Sequence, residues 1–98
     1  MLKKSFSKTG AACRVTFKYE NEENAETAVL AGDFNDWSLN ATPMKKLKDG
    51  SFSATLSLPA GQTYRFRYVL DGGVWVNDNQ ADGYAPNEYG EANSVLVL

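Results

Sequence analysis

Hydrophobic and polar positions along this chain alternate with a period of two. Val15, Phe17 and Tyr19 alternate with Arg14, Thr16 and Lys18 over residues 13–19. Phe52, Ala54, Leu56 and Leu58 alternate with Ser51, Ser53, Thr55 and Ser57 over residues 51–58. Tyr64, Phe66, Tyr68 and Leu70 alternate with Arg65, Arg67 and Val69 over residues 64–70. Successive side chains of a strand point to opposite faces, so each run predicts a half-buried β-strand. The apolar run Ala28-Val29-Leu30-Ala31, within 27–32, predicts a more deeply buried strand, and Val95-Leu96-Val97-Leu98 predicts another over 93–98. Asp49-Gly50, Pro59-Ala60-Gly61 and Asp71-Gly72-Gly73 separate these runs with turn chemistry. Residues 21–26 are polar and acidic and predict a loop. Residues 77–93, rich in Asn, Asp, Gly, Tyr and Pro, predict a long ordered loop rather than a strand. No helical stripe interrupts the pattern. Short strands with turn signals every ~8–12 residues predict an all-β sandwich.

Composition narrows the chemistry. At 98 residues the chain holds one domain, because two would each fall near the size where a core becomes marginal. A net charge of −2 argues against a nucleic-acid partner. No apolar run is long enough for a membrane span or a signal peptide, so a membrane partner is not expected. The single cysteine, Cys13, cannot form an internal disulfide and suits a reducing compartment, so a cytoplasmic location is expected. There is no histidine, which removes the commonest general base and metal ligand. Cys13 therefore lacks the usual base of a cysteine nucleophile and reads as a small core thiol. Asp33, Asp36, Asp71 and Asp82 stand where turns favour aspartate, which is a simpler role than a glycosidase carboxylate pair. Asp78-x-Gln80-x-Asp82-Gly83 resembles the start of a calcium loop, but Tyr89 stands where the bidentate glutamate is required. Asp82 and Asn87 read instead as residues that bond the loop to itself. Lys45, Lys46 and Lys48 read as a solvated turn. No enzyme, metal or cofactor is expected.

The two tryptophans carry the remaining question. Trp37 follows the turn-rich Gly32-Asp33-Phe34-Asn35-Asp36, and Trp75 follows Asp71-Gly72-Gly73-Val74. At such positions an indole either caps the sandwich core or presents its face to a ligand. The axial C–H faces of a glucose ring are weakly apolar and stack on an indole. The hydroxyl edge then needs donors and acceptors, and Arg65, Arg67, Asn77 and Asn93 are of that type. Alternation places Arg67 opposite the apolar face of its strand and Trp75 opposite Val74 and Val76.

Taken in order, several segments resemble the family 48 carbohydrate-binding modules. They are Gly32-Asp33-Phe34-Asn35-Asp36-Trp37, then Tyr64-Arg65-Phe66-Arg67-Tyr68-Val69-Leu70-Asp71-Gly72, then Trp75. Asp78-Asn79-Gln80-Ala81-Asp82, Pro86-Asn87 and Tyr89-Gly90-Glu91-Ala92-Asn93-Ser94-Val95 continue the resemblance, which spans residues 13–98. That family includes the glycogen-binding module of the AMP-activated protein kinase β subunit and the N-terminal domains of isoamylases and branching enzymes. The resemblance implies a mostly antiparallel, immunoglobulin-like β-sandwich of the early set over 13–98, preceded by an N-terminal extension or edge at 1–12. It implies non-catalytic binding of α-1,4-glucans, that is glycogen, starch or maltooligosaccharides.

The family's two stacking tryptophans fall on Trp37 and Trp75, its basic residue on Arg67, its asparagine near the last strand on Asn93, and its apolar finger on Tyr89. Arg65, Asn77 and Glu91 are secondary candidates for sugar contact. The chain departs from the family at three places. Gly73 or Val74 lengthens the turn before Trp75, Glu91 stands where the kinase module has a threonine, and Asn79 replaces a common proline. Family members that pack on a catalytic domain without holding sugar supply the alternative, a protein-interaction module docking on a glycogen-metabolising enzyme.

Overall fold

The alternation becomes a two-sheet sandwich in the computed structural model, which describes residues 1–98. In chain order the strands are β1 (Leu2–Phe6), β2 (Ala12–Tyr19), β3 (Ala28–Gly32), β4 (Lys45–Lys46), β5 (Phe52–Pro59), β6 (Thr63–Leu70), β7 (Val74–Val76), β8 (Gly83–Pro86) and β9 (Ala92–Val97). A short 3-10 turn, Asp33–Asn35, follows β3. One sheet has the order β1-β2-β5-β4 and the other β3-β6-β9-β8, and every pairing is antiparallel.

The two sheets meet through their inward rows. Cys13, Val15 and Phe17 of β2 are fully buried, as are Phe66 and Tyr68 of β6 and Leu96 of β9. The Phe17 ring of the first sheet meets the Phe66 ring of the second edge-on, with centroids 5.1 Å apart. Edge-to-face contact of this kind adds to the area term that drives burial. The 21–26 segment is a loop, and Asp49-Gly50 closes the β4–β5 hairpin.

Two expectations are corrected. The stretch 77–93 contains a strand, β8, which pairs with β9 from Gly83↔Val95 to Pro86↔Ala92. It lies at the sheet edge with Pro86 at its end, where the missing N–H costs no ladder bond. Its Gly-Tyr-Ala-Pro sequence therefore needs no strand-like alternation. The lysine cluster is not simply a solvated turn. Lys45 and Lys46 form β4, and Lys46 Nζ donates to the Ala25 carbonyl at 3.2 Å and lies 5.8 Å from the Phe52 ring centroid.

One edge of β6 is divided between two partners. Thr63 to Phe66 pair with β9, and Tyr68 to Leu70 pair with β7. Arg67 is the residue left between them, and β3 runs along the other edge. This seam underlies the site described below.

Asp78 belongs to the framework. It is 1% exposed and accepts hydrogen bonds from the Tyr68 hydroxyl at 2.7 Å and the Gln80 N–H at 2.8 Å, and it is ion-paired with the Met1 amine. Burial pushes the Tyr68 hydroxyl far above the ordinary phenol range, and the charge and hydrogen bond of Asp78 add to the shift. Tyr68→Phe removes a donor from a buried carboxylate and is expected to cost about 1.5–3 kcal/mol in urea unfolding. A second signature separates this bond from packing. Above pH 10.0, the ordinary value, the unfolded chain releases the Tyr68 proton and the folded chain keeps it. Stability contributed by this group is therefore complete below that pH and falls by about 1.4 kcal/mol per pH unit above it. The Tyr68→Phe variant should lack that part of the slope.

Candidate functional site

The Gly32-to-Trp37 segment is fastened at several points. Asn35 Oδ1 accepts from the Gly32 N–H at 3.1 Å, and its Nδ2 donates to the Leu30 carbonyl at 2.9 Å and to Thr42 Oγ1 at 3.1 Å. The Trp37 N–H donates to the Gly32 carbonyl at 2.9 Å. These bonds hold Asp36 and Trp37 at φ of 54° and 58°. Left-handed backbone costs about 1–3 kcal/mol at such residues and persists only where the surroundings over-determine it. The strain turns the chain so that Trp37 comes over the outer face of the second sheet.

There Trp37 meets Trp75, which β7 presents on the same face. The ring centroids are 6.4 Å apart and the planes are tilted by 35°. Trp75 pairs across the strands with Val69, which is buried although it lies on the outer face. Together with the β8–β9 connection the two indoles border a groove of about 800 Å3. Arg65, Arg67, Tyr89, Glu91 and Asn93 line it as well. The structure thus brings seven of the eight candidate residues to one groove.

Their roles differ. Arg67 bridges the seam in β6. Its Nη2 donates to the Trp75 carbonyl at 3.2 Å, its Nη1 faces Glu91 Oε2 at 3.4 Å, and its Cζ lies 5.9 Å from the Trp75 ring centroid. Its side chain is only 12% exposed, and its Nε is buried without a partner. Arg67 does face away from the core, but the side chain is clasped rather than free. Asn93 is buried at the groove floor, where its Oδ1 accepts from Asn87 Nδ2 at 3.3 Å. Tyr89 stands out of the 87–91 turn at 81% exposure. Asn87 shapes that turn by accepting the N–H groups of Tyr89 and Glu91 at 2.9 and 3.1 Å.

Asn77 lies apart from the groove. Its Nδ2 donates to the Ala92 carbonyl and its Oδ1 accepts from Ser94 Oγ, both at 2.8 Å, so its amide is used inside the fold. Pro86, Asn87 and Glu88 also line the groove, though none of them was a sugar-contact candidate from the sequence. With Arg65, Arg67, Glu88 and Glu91 the groove carries two bases and two acids, a balance suited to a neutral ligand.

Asp33 is the residue that sequence reasoning undervalued. Its Oδ1 accepts from Trp37 Nε1 at 3.1 Å, and its Oδ2 accepts from the Arg65 N–H at 2.8 Å and Nε at 3.3 Å. One carboxylate thus sets the indole plane and the neighbouring guanidinium together. Turn chemistry signals an aspartate at this position, but the link to Arg65, 32 residues away, exists only through the β3–β6 pairing. Asp33→Ala is expected to lower ligand affinity about three- to tenfold, the scale of one or two net hydrogen bonds. It should also alter the near-ultraviolet circular dichroism of the paired indoles. Asp33→Asn retains an acceptor for Trp37 Nε1 and should recover most of that spectrum. An Asp33→Ala chain with parental affinity and spectrum would show that the carboxylate positions nothing.

No helix is long and apolar enough to cross a membrane. Comparison with curated proteins returned no match. The family whose pattern does match is described as the glycogen recognition site of AMP-activated protein kinase, and the match covers residues 13–98. That span contains both sheets except for β1, and every residue of the groove. By that match the chain belongs to the glycogen-recognition family of AMP-activated protein kinase, a family of non-catalytic carbohydrate-binding modules.

Proposed function

We propose that this chain binds α-1,4-glucans, in the form of glycogen, starch or maltooligosaccharides, by stacking glucose rings on Trp37 and Trp75. The observation that carries the reading is the indole pair, which converges from the loop after β3 and from β7 at 6.4 Å with a 35° tilt. An α-1,4 linkage bends the chain from one ring to the next, so successive apolar faces meet platforms that are themselves inclined. A flat β-1,4 chain would favour coplanar ones. Arg65, Arg67, Glu91 and Asn93 line the same groove and offer donors and acceptors to the hydroxyl edges. Asn93 Nδ2 has no partner within the chain, which leaves that amide available to a sugar oxygen. Tyr89 supplies a third apolar surface at the rim. None of these contacts requires a proton to move.

Each indole that buries ~100 Å2 of apolar area contributes about 2.5 kcal/mol before the cost of association. Two platforms with solvent-competed hydrogen bonds then give roughly micromolar to millimolar affinity. The test is retardation of the chain in a native gel cast with glycogen, beside a gel without it. A parent chain that migrates equally in both would overturn the proposal.

A further inference from the structure

The outer face of the other sheet has a different composition. Residues opposite one another across an antiparallel ladder share a face. Cys13, Val15 and Phe17 point inward, so Arg14, Thr16 and Lys18 point outward. The register aligns them with Ser5 and Lys3 on β1 and with Ser57, Thr55 and Ser53 on β5, and Lys45 on β4 pairs with Ser53. Apart from the Ala12–Pro59 pair at one end, these outward strand positions are therefore filled by hydroxyls and by four bases, Lys3, Arg14, Lys18 and Lys45.

No acid lies among them, although the chain holds twelve acids and ten bases. The remainder of the chain thus carries twelve acids against six bases. Lys18 approaches Asp49 at 3.8 Å at the rim, while Lys3, Arg14 and Lys45 have no ion-pair partner. In a chain with excess acid, three exposed bases left unpaired on one face form a separated positive field. Thr16 and Thr55 are hydrogen-bonded to each other at 3.0 Å in the middle of this face. The short hydroxyl side chains leave the longer basic ones standing clear of a flat floor.

We propose that this face docks a short acidic polypeptide segment of a partner protein. Charge complementarity supplies the attraction, and the serine and threonine hydroxyls supply donors to carboxylates and backbone carbonyls. Beyond this face the chain carries twelve acids against six bases, which limits the occupant to a short one. A long polyanion such as a nucleic acid would extend beyond the patch into repulsion within a Debye length, about 10 Å at 0.1 M salt. An anionic bilayer would meet the same excess of acid, and the apolar outward positions, Ala12 and Pro59, are too short to insert into it. Because the glucan groove lies on the outer face of the opposite sheet, docking leaves Trp37 and Trp75 uncovered. One module could then hold a glucan on one side and an acidic partner on the other.

The probe is a labelled short polyglutamate peptide, titrated against the intact chain by fluorescence anisotropy. The expected result is binding that weakens about tenfold or more between low and high salt, as for steered charge contacts. The Lys3→Gln/Arg14→Gln/Lys45→Gln chain should lose about tenfold in affinity at low salt while keeping its retardation in glycogen gels. Thr55→Glu, which places an acid among the bases, should weaken the peptide equally. All four positions are exposed, so folding is not at stake. Absence of peptide binding at low salt would overturn the proposal, as would undiminished binding by the charge variants. Tighter binding of a single-stranded oligonucleotide, or of phosphatidylserine vesicles, than of the peptide would overturn it as well. The glycogen gel reads the other face, so failure of one proposal leaves the other intact.

Discussion

Trp37→Ala and Trp75→Ala should each weaken apparent affinity for glycogen by about 10–100-fold, the scale of one lost stacking platform. The two substitutions act differently on what remains. Removing the Trp37 indole leaves Asp33 bonded to Arg65, so Asp33 keeps one of its two partners and the Asn35 bonds still hold the loop. Removing the Trp75 indole also takes away the ring that lies 5.9 Å from the Arg67 guanidinium and opens Val69 to water. Trp75→Ala should therefore cost more stability than Trp37→Ala, while their losses of affinity are similar. Maltoheptaose titrations followed by indole fluorescence separate the two effects, since each variant retains the other indole as reporter. Retardation of Trp37→Ala equal to that of the parent would remove that indole from the binding surface.

Gly32→Ala should be the most damaging single methyl group in the chain. Its φ of −173° is ordinary extended backbone, so conformational freedom is not the reason for glycine here. The reason is contact. An added Cβ would sit 2.6 Å from the Arg65 carbonyl oxygen, 2.8 Å from Phe34 Cζ and 2.9 Å from Phe66 Cβ. The carbonyl cannot move without breaking the Gly32↔Phe66 register, and the Phe34 ring is held against Phe17 at 5.6 Å. Overpacking of this kind costs about 3 kcal/mol at the upper end of its range, or roughly 10–20 °C in Tm for a domain of this size. Gly50→Ala is the control. Gly50 has φ of 90° with nothing near its missing Cβ, so it should lose only about 1 kcal/mol from backbone strain. Gly32→Ala should also weaken glucan binding, because Gly32 bonds both Asn35 and Trp37. Parental thermal stability in Gly32→Ala would mean that β3 and β6 can separate more easily than their register implies.

The contrast between Gly32 and Gly50 shows how far the sequence could be read. Alternation is a local signal, and it located β2, β5 and β6 to within a residue or two, as apolar runs located β3 and β9. β8 gave no such signal, because an edge strand with a half-exposed tyrosine and a terminal proline need not alternate. Within the groove, residue type and the resemblance together pointed to Trp37, Arg67, Trp75, Tyr89 and Asn93. Residue type alone did not separate Asn77 from Asn93, and only the resemblance ranked Asn93 first and Asn77 second. The difference arises beyond the end of β7, where Asn77 turns beneath Ala92 and Ser94. Asp33 with Arg65, and Arg67 with Glu91, are pairings between residues 32 and 24 positions apart. Only the completed sheet makes them neighbours.

The divided edge of β6 also bears on when the groove comes into being during folding. Thr63 to Phe66 receive the last strand, while Tyr68 to Leu70 receive the short β7 that immediately follows the turn. The Leu70↔Val74 hairpin is local and can close early. The floor supplied by Asn93 and the rim supplied by Glu91 and Tyr89 require β9, whose docking closes a much longer loop. Pairing of that kind is slow, with mixed and all-β domains commonly folding in milliseconds to seconds. Trp75 can thus reach its place beside Val69 before the groove exists, and the clasp of Arg67 on Glu91 comes only with the final strand. A chain emerging in order from N- to C-terminus would complete the groove only once β9 has emerged, well after β6 and β7 have paired.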